Sequence, residues 1–77
     1  MIEELQLLSE SDKKWAASRA KTACILYDQW MGGGLDEWEY KELMERLVQD
    51  PALDAEADDL DTKHLLVMSI YEVAELV

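Results

Sequence analysis

The chain is expected to fold as an all-α domain, a small three-helix bundle or helical hairpin completed by a C-terminal helix. Three observations predict this. Apolar residues recur at spacings of three and four over most of the sequence, a glycine triplet at positions 32–34 separates two such runs, and a helix-start signature follows the triplet at once. With 77 residues there is room for one domain, and a core this small gains from self-association or from a partner.

Residues 1–8 read as an arm or a frayed extra turn: Leu5 and Leu7 alternate like a strand, whereas Leu8 breaks the alternation. The first helix is expected over residues 9–31, with Ser9 and Asp12 as a capping pair and Ser11 as an alternative start. Trp15, Ala16, Ala20, Ala23, Cys24, Tyr27, Trp30 and Met31 recur along it at helical spacing, and the alanines leave room for a close helix neighbour.

Gly32 or Gly33 is the natural end of that helix, because glycine enters the left-handed region without steric cost. The second helix is expected over residues 36–49. Asp36 stands at its N-cap, Glu39 at the third helical position, and Leu35 can staple onto Tyr40. A phosphate-binding loop would need a strand before the glycines and a Gly-Lys-Ser/Thr ending, and neither is present, so the triplet reads as a flexible helix–helix turn. Tyr40, Leu43, Met44, Leu47 and Val48 form the apolar stripe, and Glu37–Lys41 and Glu42–Arg46 are acid-before-base pairs on the solvated face. Trp38 falls between the two faces, where an indole covers a core edge or anchors a partner.

Residues 50–60 form an acidic connector, with Asp50 placed to cap a turn that Pro51 begins. The last helix is expected over residues 61–76. A competing arrangement is one long helix from Pro51 onward, favoured by the alternation of Leu53, Ala57, Leu60, His64, Val67, Tyr71 and Ala74. Leu66, Ile70, Val73 and Val77 add a second stripe, which points to the centre of the core or to a homodimer interface.

The formal net charge is −11, yet 49% of residues are hydrophobic, too many for a solvated acidic tail. The excess lies almost wholly between residues 36 and 61, where eleven acids face two bases. Such a surface repels nucleic-acid phosphates and anionic lipid, so neither direct nucleic-acid binding nor membrane binding is expected. No apolar run approaches the ~20 residues that span a bilayer, and the first residues carry no secretory pattern, so a cytoplasmic location is expected.

No cofactor or metal is expected. Reading Asp54, Glu56 and Asp58 as calcium ligands puts Asp59 where glycine is required and Leu65 where the bidentate glutamate belongs. His64 and Cys24, each the only one of its kind, cannot build a zinc site in one chain, and His64 is expected on an apolar seam beside a carboxylate. Cys24, between Ala23 and Ile25, reads as a small core residue and not as a reactive thiolate. No strained nucleophile turn is present. The chain is therefore expected not to be an enzyme.

Surface chemistry remains. Asp50, Asp54, Glu56, Asp58, Asp59 and Asp61 have no basic residues among them and no local neutralisation. With Trp38 they are the candidate partner-binding residues, facing either solvent or a basic or nucleic-acid-binding protein. A nucleic-acid mimic is the alternative, weakened by the local charge pairs of the second helix. The stretch LDEWEYKELMERLVQD, with AEADDLDTKHLL after it, resembles small acidic helical accessory proteins of tailed bacteriophages. The matching residues are Glu39, Tyr40, Leu43, Asp58, Asp59, Leu60 and Lys63. This resemblance implies an accessory role in the host cytoplasm, as inhibitor of a host protein or as a virion-assembly component.

Overall fold

The computed structural model describes residues 2–76. Five helical segments follow one another: α1 (Ile2–Leu8), α2 (Lys14–Met31), α3 (Glu37–Gln49), α4 (Pro51–Glu56) and α5 (Leu60–Ala74). Helices α1, α2, α3 and α5 pack into a small bundle, and α5 touches the other three. No strand occurs among the described residues. The all-α prediction holds, with one more packed helix than expected.

That extra helix is α1. Residues 2–8 are not an arm, because Ile2, Leu5 and Leu8 stand three apart and turn one face inward, with Leu5 and Leu8 buried. The strand-like alternation rested on Leu7, which is exposed. Seven residues are too few for a helix to persist alone in water, so α1 exists through its packing on α2 and α5.

The expected start of the next helix at Ser9 is also displaced. The Ser9 hydroxyl donates to the carbonyl of Gln6 and finishes α1. Ser11 Oγ accepts from the Lys13 backbone N–H, and α2 begins only at Lys14. Ala16, Ala20 and Ala23 are fully buried along its inner side.

At the glycines the chain forms a closed set of hydrogen bonds. Gly33 takes φ +84°, the left-handed value that a side chain resists. The Gly33 N–H donates to Trp30 O at 3.1 Å and the Gly34 N–H to Gln29 O at 2.8 Å, the paired bonds of a Schellman cap. Only Gly33 needs to be glycine on backbone grounds. The turn expected to be flexible is thus hydrogen-bonded on its α2 side, and a full capping box closes its α3 side. There Glu39 N–H donates to Asp36 Oδ1 at 2.8 Å, and Asp36 N–H donates to Glu39 Oε1 at 3.2 Å.

Tyr40 then ties this corner to α5. It is fully buried, and its hydroxyl donates to the Val73 carbonyl at 2.9 Å. Its ring stacks on Trp30 with centroids 4.6 Å apart, and Tyr27 meets Trp30 edge-on at 6.1 Å. Burial pushes the Tyr40 phenol up to about 12.

Continuity from Pro51 to the C-terminus fails. Ala57 is extended, and Asp59 caps a new helix by accepting from Asp61 N–H and from the Thr62 hydroxyl. The apolar alternation across this break is therefore not one seam. Leu53 is buried, but Leu60 and His64 face solvent, and the inward residues of α5 are Leu66, Ile70 and Val73. Val77, which the sequence places with them, lies outside the described residues.

Candidate interaction surface

The connector acids were expected to lack local neutralisation and to face solvent or a basic partner. The fold brings bases to them, from residues 13–19 and from Lys63, nine residues beyond Asp54. Lys13 Nζ lies 3.2 Å from Asp58 Oδ1, and the Trp15 indole N–H donates to the same carboxylate at 3.1 Å. Arg19, only 12% exposed, reaches Glu56 at 3.0 Å and Asp50 at 3.6 Å, and donates to the Trp15 carbonyl. Lys63 pairs with Asp54. Asp50 and Asp59 are also N-caps, with Asp50 Oδ1 accepting from Ala52 N–H at 3.0 Å.

The electrostatics follow these bonds. The Trp15 and Lys13 hydrogen bonds hold the Asp58 carboxyl below the usual carboxylate range. The Thr62 hydroxyl does the same to Asp59. Of the six expected partner-facing acids, only Asp61 has a side chain without a partner among the described residues, and it lies exposed on α5. The connector is a clasp that closes α4 against the base-bearing side of α2, with Leu53 as its buried apolar pin.

Trp38 stands differently. Tyr40 and Met44 define the inner side of α3, and 100° per residue puts Trp38 about 160° away from Tyr40. It is not between two faces but on the outer one, 73% exposed, and its indole N–H makes no hydrogen bond among the described residues. Beside it Glu39, Glu42, Leu43 and Arg46 line a shallow recess of about 200 Å³. Arg46 bonds Glu42 at 2.9 Å, and among the described residues Glu37 and Glu45 on the same helix make no ion pair.

A further exposed set was not anticipated. Leu60 is 79% exposed, Leu65 and Met68 are each 46% exposed, and Leu76 is 42% exposed. Leu60 belongs to one of the stripes the spacing picks out, whereas Leu65, Met68 and Leu76 belong to neither and show in the sequence only as a surplus of apolar residues.

The residues weighed for chemistry stand apart from one another. His64 is exposed and has no carboxylate partner among the described residues, contrary to expectation. Cys24 is half-buried and packs on the core, where desolvation, aided by Asp28, pushes its thiol up and away from the reactive thiolate. Among the described residues no three His, Cys, Asp or Glu side chains gather as a metal ion requires, and no helix is long and apolar enough to cross a membrane. In comparisons with known proteins, no family model, no curated protein and no solved structure matches this chain.

Proposed function

We propose that this chain is a non-enzymatic interaction protein that engages a protein partner through exposed apolar side chains, with Trp38 as anchor. One observation carries the reading: an indole three-quarters in solvent, with an unused N–H, beside a small recess on the outer side of a well-capped helix. An indole buries a large apolar area at an interface and offers an N–H to a partner, and tryptophans are enriched among residues that dominate binding energy. The fold gains little from Trp38 where it stands.

The connector acids recede in this proposal. Carboxylates already bonded to Lys13, Arg19 and Lys63 have lost much of their attraction for an outside base. The same pairing counts against a nucleic-acid mimic, which needs unpaired anions at phosphate-like spacing. The resemblance to phage accessory proteins suggests a host protein as the partner to seek first.

The test is affinity capture from the native host lysate with the wild-type chain and Trp38→Ala side by side, at low and high salt. A partner that survives high salt and disappears with Trp38→Ala supports the reading. A partner held equally by both chains removes Trp38 from the interface. One that leaves steeply with salt and is competed by DNA favours the mimic.

A further inference from the structure

Helix α5 is the hub of the bundle, yet its apolar residues exceed what the bundle uses. Leu66, Ile70, Val73 and Ala74 are buried and complete the inner side. On the other side Asp61, Leu65, Met68, Glu72 and Leu76 follow one another at intervals of four, three, four and four. At 100° per residue Asp61, Leu65, Met68 and Glu72 share an arc of about 60°, and Leu76 lies in the turn just beyond the helix end. All five are exposed, and Leu60 extends the apolar ground at the start of the helix.

Charge on this stripe has one sign. Asp61, Glu72 and Glu75 make no ion pair among the described residues, and the one lysine of α5, Lys63, is held by Asp54. An apolar line bordered by free carboxylates is complementary to an apolar line bordered by ammonium or guanidinium groups. We propose that the outer face of α5 is a docking surface for a basic amphipathic helix of a partner protein. The apolar positions of that helix would meet Leu65, Met68 and Leu76, and its cations Asp61, Glu72 and Glu75.

A second copy of the chain fits poorly. Each carries a net charge of −11 and would bring the same three acids to the contact. A stable dimer buries about 800 Å² per partner, whereas α5, with 15 residues, is only about 22 Å long. The surface of the chain, 4821 Å², already equals the ~4,800 Å² of a folded monomer of its mass, so the core is closed without a second copy. A single helix face suits a transient helix-on-helix contact instead.

The inference extends the interaction reading, but it rests on a different helix from Trp38, so the two fail separately. The probe is a fluorescein-labelled designed helix of about five turns, with leucine on one face and lysines bordering it. Two control peptides replace either the lysines by glutamate or the leucines by glutamine. Fluorescence anisotropy follows their binding to the full chain. The Leu/Lys peptide is expected to bind, to bind roughly tenfold more weakly to the double variant Leu65→Gln, Met68→Gln, and to be weakened several-fold by Glu72→Gln with Glu75→Gln. Trp38→Ala is expected to bind it unchanged.

Absence of binding overturns the proposal. So does equal binding of the glutamine-substituted peptide, which is attraction by charge alone, or a loss that follows Trp38→Ala. Self-association of the free chain in sedimentation, abolished by the Leu65, Met68 double variant, would hand the face to a second copy and overturn it too. Should the double variant lose helicity, amide shift perturbation by the peptide on the wild-type chain decides. A footprint on Asp61, Leu65, Met68 and Glu72 supports the site, and a footprint elsewhere sinks it.

Discussion

Helix α3 and the connector that follows it are both rich in carboxylates, and they neutralise them by opposite means. In α3 the pairing is local, as in Glu42 with Arg46 one turn later, and the capping box uses two residues three apart. In the connector most ion pairs reach across the fold, from Asp50 and Glu56 to Arg19 and from Asp58 to Lys13, while Asp54 pairs with Lys63 nine residues on. An acid-rich segment without neighbouring bases is therefore not a free acidic surface. Its counter-charges can be folded onto it, and here they are.

The comparison can be broken or sharpened by experiment. The largest effect is expected at the connector's apolar pin. Leu53→Ala removes the fully buried anchor of α4 and is expected to cost about 2–5 kcal/mol, read by thermal or urea unfolding. A loss under 1 kcal/mol would mean that charge, not burial, holds the connector.

Next comes the α3 side. Tyr40→Phe removes the shorter of two hydrogen bonds to the Val73 carbonyl, which keeps the Leu76 N–H at 3.3 Å, for an expected loss of about 1.5 kcal/mol. The same phenol makes the fold sensitive to alkali. Its proton is held until about pH 12 in the fold, against the ordinary value of 10.0, so its stabilising contribution is whole below pH 10 and drains away between 10 and 12. Unfolding titrations of wild type and Tyr40→Phe should converge across that window.

Smaller still is the contrast between long-range and local ion pairs. Arg19→Met breaks two connector contacts from a largely buried side chain and is expected to cost about 1 kcal/mol, diminishing in high salt. Glu42→Gln breaks one exposed pair on α3 and is expected to cost about 0.3–0.5 kcal/mol. Equal costs would erase the distinction between the two regions.

The smallest effect is acidic. The Asp58 carboxyl titrates below its ordinary value, so its contribution is whole above that value and lost as pH falls through the lowered one. The Trp15 contact should therefore release at the acid end, while Asp58→Asn shows no such step in Trp15 fluorescence.

What the sequence disclosed and what it hid divide along the same line. The Asp36–Glu39 box, the helix end at the glycines and the Asp50–Pro51 start are short-range grammar, set by side chains within a few residues of the backbone groups they satisfy. Residues 2–8 were misread because a seven-residue helix owes its existence to packing, which no local pattern encodes. The break at Ala57–Asp59 was obscured by an apolar alternation that happened to run through it. Trp38 is a candidate from the sequence, and its outward position follows from its helical offset of about 160° from Tyr40, which the sequence already places on the apolar stripe. The outer face of α5 was legible only as a surplus of apolar residues, because Leu65, Met68 and Leu76 belong to neither of the stripes that the spacing picks out.

The three tryptophans occupy three unlike settings: Trp15 bonded to the connector through Asp58, Trp30 stacked on Tyr40 inside the corner, and Trp38 bare on the outside of α3. The molecule thus carries its own set of optical gauges. Chains that keep one indole at a time would report clasp release, loss of the corner and capture of a ligand as separate emission changes, with no dye attached.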